Sequence, residues 1–149
     1  MMEIGSDLPD ATVDRIRDSF ARQGLMSLLG AKLEEVKAGV VTIRLPFRPE
    51  LTQQHGYFHA GGTASIADSA GGYAGFTLFP DDSSVLTVEF KLNLINPARG
   101  EYLEAVGRVV KPGRTLTICQ LDVWGITPER KIHVATGLQT LICVQGRPA

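Results

Sequence analysis

The chain has 149 residues, and its 15 Lys and Arg side chains nearly balance its 16 Asp and Glu side chains, which gives a net charge of −1. This balance provides no electrostatic basis for binding nucleic acid or an anionic membrane surface. The length suits one domain with a single sizeable hydrophobic core. The sequence shows neither an apolar run long enough to cross a bilayer nor the basic start of a secretion signal. We therefore expect a cytoplasmic protein without nucleic-acid or membrane partners.

The first predicted element is an amphipathic helix over residues 10–22, in which apolar side chains recur at helical spacing. Asp10 or Thr12 is expected to cap its N-terminus. A short apolar turn, residues 25–29, follows the helix. Residues 1–30 are therefore predicted to form an N-terminal helical extension, either a lid over a pocket or a simple cover for a sheet.

Residues 31–149 are predicted to form one domain that begins with two strands, residues 31–37 and 40–47. The second strand alternates apolar and polar residues, which is typical of a strand with one buried face. A loop, residues 49–58, then carries polar amides, including Gln53, directly before an apolar helix. Polar side chains in such a loop indicate a site more than a plain connection.

Residues 59–75 are almost all small and are predicted to form a buried helix. The helix has no charged face, and its many glycines, which weaken helices, indicate that other backbone approaches it closely. Asp68 is the only formally charged residue between Leu51 and Pro80. A carboxylate inside an apolar core requires partners or a shifted pKa. Asp68 is therefore either a catalytic carboxylate or a structural one that caps or pairs with a neighbour.

Four more strands are predicted at residues 85–95, 102–110, 115–124 and 132–144. Strict alternation in the first of them predicts two faces, one with Leu86, Val88, Phe90, Leu92 and Leu94 and the other with Thr87, Glu89, Lys91 and Asn93. Short connections predict that the four strands are antiparallel neighbours in a meander. The element order predicts an α+β fold with one sheet curled around one helix.

The two cysteines, Cys119 and Cys143, fall in predicted strands that are distant in sequence. They lack the spacing of a metal-binding motif. We expect reduced thiols in the core and no metal site.

The run GYFHAGGTASIADSAGGYA, residues 56–74, resembles the signature of hotdog-fold acyl-CoA thioesterases, and most closely that of the PaaI-like subfamily of phenylacetate degradation. The strand VEFKLNLINPA, residues 88–98, matches as well, and the resemblance covers about residues 28–145. It implies a curved antiparallel sheet wrapped around one long central helix. The implied activity is hydrolysis of an acyl-CoA to a free acid and CoA, with CoA as part of the substrate and no cofactor.

The resemblance also implies roles for individual residues. Asp68 falls on the family's catalytic carboxylate, which acts as a general base on water or attacks the thioester itself. Gln53 stands where relatives often carry Asn, which helps to place water or substrate. Thr87 stands where relatives often carry Ser, which forms a hydrogen bond near the carboxylate.

A second group of implied roles lies at the start of the small-residue helix. Ala60 stands where the family has the first glycine after the histidine, and its backbone N–H would polarise the thioester carbonyl. Gly61 is a second candidate for this task. Unpaired N–H groups and the helix dipole at this end favour a developing oxyanion. His59 is expected to orient these groups or to serve as a structural N-cap.

The phosphates of CoA call for polar and basic side chains at the pocket mouth. The candidates for binding CoA or its acyl group are Lys91, Asn93, Arg99, Lys111, Arg114 and Tyr73. Ordinary solvated charges, or for Tyr73 an ordinary core position, are the alternatives.

The resemblance further implies assembly as a homodimer or homotetramer. Each site would take the Gln53 loop and the helix N-terminus from one chain, and Asp68 with Thr87 from the other. Two other functions remain open. A hotdog-fold enoyl-CoA hydratase or dehydratase would use His59 with Asp68 as an acid–base pair. A non-catalytic acyl-CoA-binding protein, or a structural dimer without a ligand, would use neither residue as an acid or a base.

Overall fold

The computed structural model describes residues 2–147, which contain three α-helices, one short 3-10 helix and six β-strands. In chain order the α-helices and strands are α1 (Asp10–Ala21), α2 (Gly24–Leu29), β1 (Lys32–Lys37), β2 (Val40–Pro46), α3 (Ala60–Phe76), β3 (Ser83–Leu94), β4 (Tyr102–Lys111), β5 (Leu116–Ile126) and β6 (Lys131–Gln145). The predicted elements are confirmed, and the apolar turn after α1 is a helix. No helix in this part of the chain is long and apolar enough to span a membrane.

The six strands form one antiparallel sheet in the order β1-β2-β4-β5-β6-β3. Helix α3 contacts all of the strands from β2 to β6, so the sheet curves around it. The core therefore lies between α3 and the concave face of the sheet. This arrangement confirms the predicted α+β fold with one sheet wrapped around a central helix.

The predicted meander of four strands is wrong in one respect, because β3 pairs with β6 and not with β4. Strand β4 instead lies between β2 and β5. The connection between β3 and β4, residues 95–101, crosses the ends of β6 and β5. Seven extended residues reach about 23 Å, whereas three strand spacings need only about 14 Å. The short connection between β3 and β4 therefore does not require the two strands to be neighbours in the sheet.

The predicted faces of β3 are also wrong, because a bulge between Thr87 and Glu89 interrupts the alternation. Thr87 lies opposite the buried Leu141, and Phe90 lies opposite the buried Gln139. Directly paired residues share a face of the sheet, so Thr87 and Phe90 both face α3. The extra residue of the bulge changes which side chains point inward, and it turns Thr87 towards the helix.

Close packing between α3 and the sheet explains two of the glycines. A Cβ atom on Gly107 of β4 would overlap the backbone of Ala70 and Gly71 in α3, and a Cβ atom on Gly71 would overlap side chains of the sheet. The predicted close approach to the small-residue helix is thus confirmed. Helix α3 lies so deep in the sheet that at these positions only hydrogen fits.

The two N-terminal helices share the core with the sheet. Ile16 of α1 and Met26 of α2 are fully buried in the same hydrophobic cluster as the strands. The expectation that Asp10 or Thr12 caps α1 is wrong. Helix α1 begins at Asp10, its N-cap residue is Pro9, and no side chain caps it.

Both cysteines are free and buried, as predicted. Cys119 on β5 is fully shielded, and burial raises the pKa of its thiol to about 12. Because the thiolate is the reactive species, this thiol is inert at neutral pH.

Arg15 of α1 binds the C-terminal end of α3. Its guanidinium donates hydrogen bonds to the carbonyl oxygens of Phe76 at 3.1 Å, Phe79 at 3.4 Å and Pro80 at 3.0 Å, and it lies 4.4 Å above the ring of Phe76. The last carbonyls of a helix lack intrahelical partners and carry the negative end of the dipole. Arg15 therefore satisfies the end of the central helix.

We expect Arg15→Gln to destabilise the protein by about 1–3 kcal/mol, because it removes charged hydrogen bonds to partly buried carbonyls. Thermal and denaturant unfolding would measure the change. Arg17→Gln is the matched control, since Arg17 lies on the exposed face of the same helix. Equal stability of the two variants would contradict this role of Arg15.

Candidate active site

Asp68 lies on the side of α3 that faces β3, where two side chains hold one of its oxygens. Thr87 donates a hydrogen bond from Oγ1 to Asp68 Oδ1 at 2.7 Å. Gln139 of β6 donates from Nε2 to the same oxygen at 2.7 Å and to the carbonyl oxygen of Asp68 at 3.0 Å. Within residues 2–147, Oδ2 accepts no hydrogen bond. One carboxylate oxygen is thus fixed and the other is available for chemistry.

Gln139 is a site residue that the sequence analysis missed. Its side chain is 1% exposed, it also donates to Thr87 Oγ1 at 3.2 Å, and its Oε1 has no partner among the described residues. A Cβ atom on Gly71 would overlap that oxygen, so the glycine makes room for the amide. A signal was present in the sequence: Gln139 shares its strand face with Leu141 and Cys143, and a polar residue in an apolar row indicates a specific partner.

The predicted burial of Asp68 is wrong for the single chain, in which the residue is partly exposed. It opens on a cleft of about 340 Å³ between α1, α3 and β3. Tyr73, one turn along α3 from Ser69, lies in the same cleft. Burial raises the pKa of the Tyr73 hydroxyl, against the opposing effect of its hydrogen bonds with Ser19 and Gln23, so this group is neutral at physiological pH.

The N-terminus of α3 has one free donor. His59 is the N-cap residue, and its Nδ1 accepts a hydrogen bond from the N–H of Gly61 at 2.7 Å. The N-cap expectation for His59 is thus met, and the N–H of Gly61 is occupied and cannot serve as an oxyanion donor. The N–H of Ala60 has no partner among the described residues, and Ala60 is exposed. Ala60 alone offers a donor there.

A second cleft, of about 470 Å³, opens at this helix N-terminus. Its lining includes Gln53, Tyr57, His59 and Ala60, together with apolar residues at the end of β3. Gln53 accepts hydrogen bonds at Oε1 from the N–H groups of His55 at 2.5 Å and Tyr57 at 3.4 Å, which fixes the loop. Its amide Nε2 has no partner within residues 2–147 and can donate to a ligand in the cleft.

One chain does not bring the predicted catalytic residues together. Ala60 and Asp68 are eight residues apart on one helix, which corresponds to about 12 Å along its axis. The clefts of Gln53 and Asp68 have no lining residue in common. The structure therefore gathers Gln53, His59 and Ala60 in one place and Asp68 with Thr87 in another.

The predicted CoA-binding residues are dispersed. Arg99 lies 5.6 Å from the ring of Tyr57, beside the larger cleft. Lys91 and Asn93 are exposed on the face of β3 that points away from α3, since they pair with outward-facing residues of β6. Lys111 and Arg114 lie at the turn between β4 and β5, at the opposite end of the sheet from the larger cleft. Only Arg99 adjoins that cleft, and the roles of all five stay predictions.

Metal-ligating side chains do not cluster in the described part of the chain. Within residues 2–147, no group of three His, Cys, Asp or Glu side chains is close enough to hold a metal ion.

Comparisons with known proteins identify the fold family. A sequence profile of the Thioesterase superfamily matches residues 55–130. A crystal structure of a thioesterase family protein from Silicibacter pomeroyi is 43% identical, with a TM-score of 0.88 over 91% of this chain and 99% of that one. A protein of Halobacterium salinarum, named provisionally as an esterase, is 31% identical over 129 residues, 83% of each chain.

The PaaI protein of the Escherichia coli phenylacetic acid degradation operon has the same fold, with a TM-score of 0.83 at 15% identity over 96% of this chain and all of that one. The profile match and the similar proteins agree with the curved sheet and the central helix. The chain therefore belongs to the thioesterase superfamily, as a hotdog-fold thioester hydrolase.

Proposed function

We propose that this hydrolase cleaves acyl-CoA thioesters to a free acid and CoA, in the manner of PaaI-like enzymes. The observation that carries the proposal is the state of Asp68. Thr87 and Gln139 hold its Oδ1, whereas Oδ2 accepts no hydrogen bond within residues 2–147, and Asp68 borders a cleft. A positioned carboxylate with one free oxygen is the group that a hydrolytic general base or nucleophile requires.

Two routes are consistent with this geometry. In the first, Asp68 Oδ2 accepts a proton from a water molecule whose oxygen bonds to the thioester carbon. The carbonyl electrons move to oxygen, and their return breaks the C–S bond; the proton on Asp68 then passes to the CoA thiolate. In the second, Oδ2 bonds to the carbon, CoA leaves, and water hydrolyses the resulting anhydride. In both routes the N–H of Ala60 stabilises the oxyanion.

We further propose that each site forms between two chains. The oxyanion donor at Ala60 and the carboxylate at Asp68 are too far apart on one helix to act on the same carbonyl carbon. Strand β3 lies at the edge of the sheet and exposes Leu86, Val88 and Phe90. An apolar edge strand readily pairs with another chain. A second copy of this chain at β3 would bring its own helix N-terminus towards Asp68, within a homodimer or a homotetramer.

The geometry disfavours the hydratase alternative. An acid–base pair of His59 and Asp68 requires both side chains at one substrate, but Nδ1 of His59 is engaged as the helix cap. A non-catalytic protein would not require the two hydrogen bonds that Thr87 and Gln139 donate to Asp68 Oδ1. Release of free CoA is therefore the expected activity, without any added metal or cofactor.

Asp68→Asn tests the catalytic role directly. The asparagine can still accept hydrogen bonds from Thr87 and Gln139, but it cannot act as a base or nucleophile. We expect turnover to fall by at least about a hundredfold. The melting temperature should be equal or higher, because the asparagine oxygen keeps both hydrogen bonds and carries no charge to desolvate where a second chain covers the site. A thiol-detection assay with an acyl-CoA panel measures the first quantity and calorimetry the second. A variant that melts far lower and keeps its turnover would make Asp68 structural.

Gln139→Met tests whether Gln139 positions the carboxylate. The substitution keeps the length of the side chain and removes both donors, so we expect kcat to fall about tenfold with little change in KM. Adding it to Asp68→Asn should cause no further loss, because Gln139 acts through that carboxylate. Gln120→Met, on the outer side of the neighbouring strand, is the matched control. Additive losses in the double variant would refute the positioning role.

Mixed variants test the shared site. Gln53→Ala and Asp68→Ala should each be nearly inactive alone. After random subunit exchange about half of the dimers are hybrids, and each hybrid keeps one of its two sites intact. We therefore expect about a quarter of the wild-type activity. Light scattering and native mass spectrometry would confirm exchange. No recovery in confirmed hybrids would show that Gln53 and Asp68 do not act in a site that two chains share.

A further inference from the structure

The cleft beside Asp68 has a polar end that the hydrolytic step does not use. Ser19 and Gln23, from the α1 side, and Ser69 and Tyr73, from α3, form a chain of hydrogen bonds there. Gln23 Nε2 donates to the Tyr73 hydroxyl at 2.9 Å, Ser19 Oγ lies 3.0 Å from that hydroxyl, and Ser69 Oγ donates to Gln23 Oε1 at 3.2 Å. The N-terminal helix thus contributes side chains to the cleft that contains the carboxylate.

This cluster has more hydrogen-bond donors than acceptors. Ser19 and Tyr73 carry one hydroxyl proton each, but a single hydrogen bond joins the two hydroxyls, and Tyr73 Oη also accepts a hydrogen bond from Gln23 Nε2. One hydroxyl proton is therefore unused, whichever residue donates. The second hydrogen on Gln23 Nε2 also has no partner within residues 2–147. The polar end can accordingly donate two hydrogen bonds to an acceptor in the cleft.

The charged side chains that line the cleft at its polar end are positive. An adjoining cleft of about 450 Å³ shares Ser19 and Gln23 with the first and is bordered by Arg22 and Arg147. Among residues 2–147, Asp68 is the only carboxylate that lines either cleft, and it lies at the opposite end. A ligand that reaches the polar end therefore meets donors and positive charge, which complements an oxygen atom, above all an anionic one.

Gly72 gives the cleft its open floor between Asp68 and Tyr73. It lies one helical turn from Asp68, and a Cβ atom built on it meets, within residues 2–147, no atom within 4 Å outside its own helix backbone and chain neighbours. The helix segment from Asp68 to Tyr73, which borders the cleft, is about 7.5 Å long along its axis. An extended acyl chain of about six carbons has a similar length and therefore suits a test of the cleft.

We propose that this cleft is the acyl pocket, and that it selects compact acyl groups with a hydrogen-bond-accepting oxygen at the end farthest from the thioester. The proposal rests on the proposed acyl-CoA hydrolysis and names its substrate class. The recognising groups are Ser19, Gln23 and Tyr73, with Arg22 and Arg147 favouring a terminal carboxylate over a terminal hydroxyl.

Three acyl-CoAs of equal chain length test the chemistry: hexanoyl-CoA, 6-hydroxyhexanoyl-CoA and adipoyl-CoA. We expect the wild type to have a kcat/KM at least about threefold higher for one or both oxygen-bearing substrates, the gain from a single hydrogen bond. Adipoyl-CoA as the better of the two would support the role of Arg22 and Arg147, whereas 6-hydroxyhexanoyl-CoA as the better substrate would refute that role and retain the uncharged donors as the recognising groups. Gln23→Leu removes one of the two spare donors and should reduce the preference, and Gln145→Leu, at the exposed end of β6, should retain it in full.

Gly72 variants test the position of the pocket. We expect Gly72→Val to lower kcat/KM for all three six-carbon substrates by about tenfold, because its methyl groups fill the floor. Hydrolysis of acetyl-CoA should stay within about twofold, since a short acyl group ends before Gly72. Gly72→Ala should act in the same direction and raise the melting temperature. Gly62→Ala, which faces Leu45 in the same helix, is the control for a glycine replacement outside the cleft.

The outcomes separate the two proposals. Release of CoA with hexanoyl-CoA preferred, or with an oxygen preference that Gln23→Leu leaves unchanged, overturns the inference and leaves the thioesterase function intact. A Gly72→Val enzyme that treats acetyl-CoA and the six-carbon substrates alike also overturns it. If the wild type releases no CoA from any acyl-CoA, the proposed function fails and this inference fails with it.

Discussion

The depth at which α3 lies in the sheet is set by contact between helix and strand backbones. Gly107 of β4 meets the backbone of Ala70 and Gly71, where no Cβ atom would fit. Glycine weakens a helix by about 1 kcal/mol relative to alanine. The glycine in the helix is therefore explained by the close packing of the helix against the sheet, which a larger residue would prevent. That approach also brings Gln139 of β6 within 2.7 Å of Asp68. The orientation of the carboxylate therefore depends on packing that is remote from any ligand.

The same depth explains why the helix has one open side. The faces of α3 towards β4 and β5 are fully buried, whereas Gly61, Ser65 and Asp68 are exposed or partly exposed. A helix that offers its N-terminal donor and its carboxylate two turns apart cannot apply both to one carbonyl group. A pair of such helices from two chains can, provided that they run in opposite directions. The proposed dimer thus follows from the geometry of the helix, and the exposed edge of β3 offers a surface for it.

The sequence predicted those features of the fold that depend on local patterns. Periodicity placed the helix around Asp68 and the strand with Thr87, and the polar amides before that helix placed the Gln53 loop. It could not reveal the bulge after Thr87, because a one-residue insertion in the pairing reverses the faces without changing the composition. Gln139 was missed for a related reason: its partner is 71 residues away in the sequence. The occupied N–H of Gly61 depends on the side-chain conformation of His59, which no spacing specifies.

The N-terminal segment links stability to the proposed specificity through one row of polar side chains. Arg15 and Ser19 lie four residues apart on α1 and therefore share a helix face, and Gln23 follows as the N-cap residue of α2. All three contact α3, from its C-terminal end to Ser69, beside the buried Ile16. Arg15 fixes the end of the central helix, and the other two border the cleft. Substitutions in this row can therefore change the acyl group that fits without disturbing the hydrogen bonds that hold Asp68.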